Sequence, residues 1–149
     1  MNLNDFEDVR FLSITNNVDD LISNYENEDI FIKCNIAANI NCPIYILETF
    51  AKIEHFELKR EVVFNVNCPI SALKIISKCN NIKLKNYVTQ HYNYTSELLE
   101  ELSENKGLYG SIISNKNCSF ETLKKIYKED EYFREFISSH SNWKLNGFK

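Results

Sequence analysis

The segment Asn39-Ile-Asn-Cys-Pro43 returns 26 residues later as Asn65-Val-Asn-Cys-Pro69. Looser copies follow: His91-Tyr-Asn-Tyr-Thr95 after 26 more residues, Asn115-Lys-Asn-Cys-Ser119 after 24, and His140-Ser-Asn142-Trp143 after 25. Asn16-Asn17 lies 23 residues before Asn39 and opens a shortened copy. Six copies at a period near 25 residues cover almost all of the 149-residue chain. A period of that length marks a small supersecondary unit used repeatedly. Such a unit cannot bury its own apolar face, so neighbouring units must stack.

What surrounds the repeated turn says which elements each unit contains. Four residues beyond the Pro position stand Leu47, Leu73, Leu99 and Leu123, and seven beyond it Phe50, Ile76, Leu102 and Ile126. That is the three-residue step of one helix face. Proline suits the first helical position, where its missing N–H costs nothing. Thr95 and Ser119, which replace it, are good N-caps, and Glu121 favours the first turn of its helix. Helices are predicted over 43–53, 69–79, 95–105 and 119–129, with a shorter one near 18–25.

Counting back seven residues from the anchor gives Val9, Ile32, Leu58, Leu84, Leu108 and Phe133; counting back three gives Ser13, Ile36, Val62, Val88, Ile112 and Ile137. The β-branched pairs Val62-Val63 and Ile112-Ile113 would suit a strand, but the four-residue step predicts helices. These second helices run over 8–15, 30–38, 57–64, 82–90, 107–114 and 131–139. The expected fold is all-α, an α-solenoid of about six two-helix repeats in a single domain over 1–149. Residues 1–29 would form an acidic N-terminal capping repeat, 30–140 the core repeats, and 141–149 a C-terminal cap in which Trp143 and Phe148 fold back over Phe136 and Ile137.

The runs Ile32-Lys33…Ile36…Asn39-Ile-Asn-Cys-Pro43…Leu47 and Leu58-Lys59…Val62…Asn65-Val-Asn-Cys-Pro69…Leu73 resemble the leucine-rich repeat variant family, one of the HEAT-like and armadillo-like α-solenoids. The likeness covers about residues 8–143, with His91, Thr95, Tyr109 and Ser119 as departures. It implies an architecture and a binding surface rather than one shared chemistry. Some members of that family carry an N-terminal iron–sulfur cluster; this chain has no cysteine before Cys34, so that feature is not carried over.

Nothing in the residues points to catalysis. The five cysteines (Cys34, Cys42, Cys68, Cys79, Cys118) are odd in number, lack C-x-x-C spacing, and read as reduced thiols. Cys42, Cys68 and Cys118 recur in phase, one helix pair apart, too far for shared metal ligation, and read as small buried apolar residues. The anchoring Asn39, Asn65 and Asn115 read as caps for open backbone groups at the helix end. His91 and His140 replace that asparagine and keep its role. No catalytic residues, metal or cofactor are expected, and a non-enzyme is the reading. With 3 Gly in the whole chain, a glycine-rich nucleotide loop is excluded.

A basic residue recurs six before the anchor, as Arg10, Lys33, Lys59, Lys85 and Arg134, with Tyr109 as the exception. Two readings stand. One is a structural ladder pairing with acids of the link (Asp8, Asp29, Glu57, Asp130); the other is a basic stripe on the concave face. Lys85 lacks a nearby acid and is the candidate for a free charge. Tyr87, Tyr92, Tyr94, Tyr109 and Trp143 break the repeat with aromatic rings, the residue type that dominates binding hot spots. The candidate partner-binding residues are Lys59, Lys85, Tyr87, Tyr109 and Arg134.

Charge is unevenly spread. Residues 1–30 carry eight acids and one base, a net of −7, whereas residues 31–149 carry 16 bases and 13 acids, a net of +3. With 44% apolar and 26% charged residues, the chain has the balance of a globular protein. No run approaches the roughly 20 apolar residues that span a bilayer, and the acidic N-terminus fits neither a secretory signal nor a transit peptide. A cytoplasmic location follows as the expectation, and the Asn-, Ile- and Lys-rich usage suggests a bacterial or phage genome. The expected function is to hold another protein on the concave face, as a scaffold, regulator, inhibitor or immunity-type protein. The alternative is a nucleic-acid-binding or HEAT-like DNA glycosylase-type protein, which the pI near 5.4 disfavours.

Overall fold

In a computed structural model, which describes residues 6–146, all regular structure is helical. The helices fall into two compact units, 1–78 and 79–149. The first holds α1 (Phe6–Phe11), α2 (Val18–Asn24), α3 (Ile30–Ala38), α4 (Ile44–Ala51), α5 (Phe56–Phe64) and α6 (Ile70–Ser77). Here α1, α3 and α5 pack in one row and α4 and α6 in another, and the two rows share a core. Ile32, Ile36, Leu58 and Val62 enter that core from the first row, and Leu47, Phe50, Leu73 and Ile76 from the second. These are the positions the repeat phase selected.

The second unit holds α7 (Ile82–Gln90), α8 (Ser96–Leu102), α9 (Tyr109–Ser114), α10 (Phe120–Glu129), α11 (Arg134–Ser139) and α12 (Ser141–Leu145). Helices α9 and α11 are each led in by a 3-10 turn, Lys106–Leu108 and Glu131–Phe133. Helix α7 packs on α9, while α10, α11 and α12 pack together. Leu84, Val88, Leu108, Ile112 and Ile137 are buried from the second helices, and Leu99, Leu102, Leu123 and Ile126 from the first. Phe133, expected in that set, is only half-buried.

Short helices need good ends. Asn17, Asp29, Asn81 and Ser119 each accept a first-turn N–H with a side-chain oxygen. Pro43 and Pro69 stand one place earlier than the sequence suggests. With ψ of 139° and 154° they are extended cap residues, and the helices begin at Ile44 and Ile70. Thr95 occupies the cap position without a side-chain cap bond.

Successive copies are tied by the repeated asparagines, and here the structure goes beyond local capping. The Asn65 Nδ2 donates to Ala37 O at 2.7 Å and to Asn39 O at 2.8 Å, both in the preceding copy. Its Oδ1 meanwhile accepts the Asn67 N–H at 2.8 Å. Asn39 does the same toward Leu12 O and Thr15 O, both at 2.9 Å, and Asn115 reaches Thr89 O at 2.5 Å. The second asparagine of the motif also reaches back: Asn67 to Ile40 O, Asn117 to Tyr94 O and Asn142 to Cys118 O. Each such amide gives a main-chain carbonyl of the preceding copy a donor, and the Asn39, Asn65 and Asn115 amides do so from buried positions.

This ladder corrects the phase of the first copy. Thr15, not Asn16, is its anchor. Thr15 Oγ1 accepts the Asn17 N–H at 3.1 Å, as Asn39 Oδ1 accepts that of Asn41. Three residues before it lies Leu12, buried at 1% exposure, so Ser13 does not stand in the core position. At the other end Trp143 is buried and stacks on Tyr127 with ring centres 4.8 Å apart. Ile137 is buried as expected, but Phe136 is 56% exposed and is not covered. Phe148 lies outside the described residues. No described helix is long and apolar enough to cross a membrane.

Candidate interaction surface

The second helix of each copy turns two neighbouring stripes in opposite directions. Positions seven and three before the anchor enter the core, so positions eight, five, four and one before it are left outside. On α3 those are Phe31, Cys34, Asn35 and Ala38; on α5 they are Glu57, Arg60, Glu61 and Phe64. Phe31 is 63% and Phe64 56% exposed. Because α3 packs on α5, their outer stripes meet along a groove of about 370 Å³, lined by Ile30, Phe31, Cys34, His55, Glu57, Arg60 and Glu61.

The polar groups of the groove are already arranged. Arg60 donates through Nη2 and Nε to Glu61 Oε1, at 2.7 and 3.2 Å. His55 Nδ1 accepts the Leu58 N–H at 3.5 Å and lies 3.3 Å from Glu57. The half-buried Cys34 thiol is pushed up to about 11 by burial, reinforced by Glu61, Glu57 and Asp29 and opposed by Arg60. It stays a neutral thiol, without the electropositive surroundings of a nucleophile.

The same stripe in the second unit carries Lys83, Asn86 and Tyr87 on α7, small residues in the next copy (Gly107, Gly110, Ser111, Ser114), then Tyr132, Glu135 and Phe136. Tyr132 and Phe136 are 72% and 56% exposed, with rings 5.9 Å apart.

Of the five residues singled out from sequence, two lie inside the fold. Lys59 is 2% exposed and its Nζ lies 2.6 Å from Glu54 Oε1. Tyr109 is 1% exposed and donates its hydroxyl to Glu129 Oε2. Burial, then that carboxylate, pushes its phenol well above the usual range. The position six before the anchor therefore flanks the core stripe, and only a side chain with an internal partner can sit there deeply. Arg134 is half-buried, donates to Tyr127 O at 3.2 Å, pairs with Glu131 at 3.0 Å and covers the Tyr127 ring. Lys33 donates to Asn27 O. None of these pairs uses the acid expected for it: Asp29 and Asp130 instead cap the following helical turn. Lys85 makes no ion pair among the described residues; the place of Glu54 in its copy is held by Asn80. Tyr87 is half-buried on the outer stripe.

The residues that sequence reasoning passed over are Phe31, Phe64, Tyr132 and Phe136. The repeat phase did hold the signal, since all four occupy outward positions where apolar residues have no core to enter. Cys42, Cys68 and Cys118 are buried, each with its thiol pushed up to about 12 by burial. Among the described residues no three His, Cys, Asp or Glu side chains gather as a metal site would need. Comparison of the chain with family models, with curated proteins and with solved structures finds no match.

Proposed function

We propose that this chain is an α-solenoid of about six two-helix repeats, of the leucine-rich repeat variant kind, and that it holds another protein against the outer stripes of its second helices. The observation carrying this reading is the exposure of Phe31, Phe64, Tyr132 and Phe136 on helical segments whose opposite stripes, apart from the half-buried Phe133, are buried. Exposed aromatic rings on a rigid helix lose little conformational freedom on binding, which suits them as anchors. The groove does hold Cys34, His55 and Glu57, but burial keeps the Cys34 thiol neutral, so binding without catalysis fits the surface best.

The nucleic-acid reading is weaker on these residues. It needs an unpaired basic stripe, whereas Lys59 and Arg134 spend their charge on Glu54 and Glu131. The test is comparative affinity capture with the full chain and two surface variants, Phe31→Ser/Phe64→Ser and Tyr132→Ser/Phe136→Ser. A protein held by the parent and released by either variant, while all three melt alike, supports the reading. A capture profile indifferent to both variants contradicts it.

A further inference from the structure

The groove between α3 and α5 combines an apolar floor with an acidic rim. Ile30, Phe31 and Cys34 give the floor, and the volume of about 370 Å³ leaves room for a large apolar side chain. Glu57 and Glu61 line it, and Asp29, the cap of α3, lies near enough to act on the Cys34 thiol. Only Arg60 among the lining residues is a fixed cation, and Glu61 holds it at 2.7 Å. His55 Nδ1 lies 3.3 Å from Glu57 and 3.5 Å from the Leu58 N–H, so Glu57 has an imidazole rather than a fixed cation beside it. Lys59, the next cation along α5, is buried against Glu54. Among the described residues neither Asp29, whose side chain caps α3, nor Glu57 has a Lys or Arg partner, so the rim keeps an excess of carboxylates, in the unit that also contains the acidic first 30 residues of net −7.

We infer that this groove receives a cationic segment of a partner protein, one large apolar side chain entering over Phe31 and Cys34 while flanking lysines or arginines meet Asp29 and Glu57. The inference rests on the protein-binding reading above and narrows it to one partner chemistry. Complementary charge contributes specificity and a faster encounter, and the apolar anchor holds the complex once formed. A phosphate backbone would meet the same carboxylates as like charges, which directs the groove toward basic peptide and away from nucleic acid.

The experiment is selection of a displayed library of random 12-residue peptides on the immobilised full chain. The expected winners carry one Leu, Ile, Phe or Trp flanked by at least two Lys or Arg. A winning peptide, made synthetically, should bind at least tenfold more weakly to Phe31→Ser and to Glu57→Lys, and more weakly again as salt rises. It should also slow alkylation of Cys34, read by peptide mapping. Both substituted side chains are exposed, and a thermal melt checks that each variant folds. Winners without net positive charge, or winners indifferent to Phe31 and Glu57, overturn this inference and leave the broader protein-binding reading standing. Failure of the library to yield any binder, together with an indifferent capture profile, overturns both.

Discussion

In His140, Nδ1 accepts the Asn142 N–H at 3.1 Å and Nε2 lies 3.2 Å from Asn115 O. Those match two of the three bonds that Asn65 makes with Oδ1 and Nδ2, so the ring acts as a longer carboxamide, with its proton on Nε2. His140→Asn should therefore change stability by less than about 1 kcal/mol, whereas His140→Leu leaves the Asn142 N–H without its acceptor and Asn115 O with the Cys118 N–H alone, and should cost about 1–3 kcal/mol. Urea unfolding of the two variants beside the parent checks this. The in-phase thiols give a second prediction at this scale. Cys42, Cys68 and Cys118 are pushed from 9.0 to about 12 by burial. Above pH 9 the unfolded chain loses thiol protons that the folded chain keeps, so stability falls as pH rises from 9 toward 12. Each thiol forfeits about 1 kcal/mol at pH 10. The melting temperature should drop between pH 8 and pH 10, and a Cys42→Ala/Cys68→Ala/Cys118→Ala variant should show a smaller drop.

Elements of five to ten residues are too short to persist alone in water, so packing and caps decide them. Helix α12 is the clearest case. Its five residues hold on through Trp143, which stacks on Tyr127 and lies 5.4 Å from Phe120, and through the Asn142 amide. Trp143→Ala should cost about 3–5 kcal/mol, visible as a lower melting temperature and faster hydrogen exchange in α10 and α12. At this scale the sequence was informative, because a buried position seven or three residues before each anchor recurs in phase and nothing else satisfies a helix face so well. The misreadings have physical causes. Thr15 makes the anchor's bond with a hydroxyl, so a search for asparagine passed to Asn16. For Lys59 both a ladder pairing with Glu57 and a concave-face cation stayed open, because spacing cannot reveal that its long stem reaches Glu54 from inside the core. The backward reach of the asparagines was also hidden, since spacing gives a period but not the direction in which a side chain points.

Within each unit the copies are joined by apolar packing, which is general, and by amides aimed at particular carbonyls, which are not. The second kind fixes register: an asparagine one residue out of phase finds no carbonyl pair to bridge. That division explains why the turn varies little while the helices vary freely, and why the outward stripes can take Phe, Tyr, Lys or Glu without disturbing the stack. The anchors bind the preceding copy rather than merely capping their own turn, and Asn65→Asp separates the two roles. Aspartate keeps the acceptor for the Asn67 N–H but has no hydrogen to give Ala37 O and Asn39 O, and it sets a carboxylate against both at 4% exposure. The thermal melt of Asn65→Asp at neutral pH is the measurement. Asn65→Asp should lose about 3 kcal/mol or more, at least as much as Asn65→Ala; a variant that melts with the parent would show that the anchor only caps its own turn.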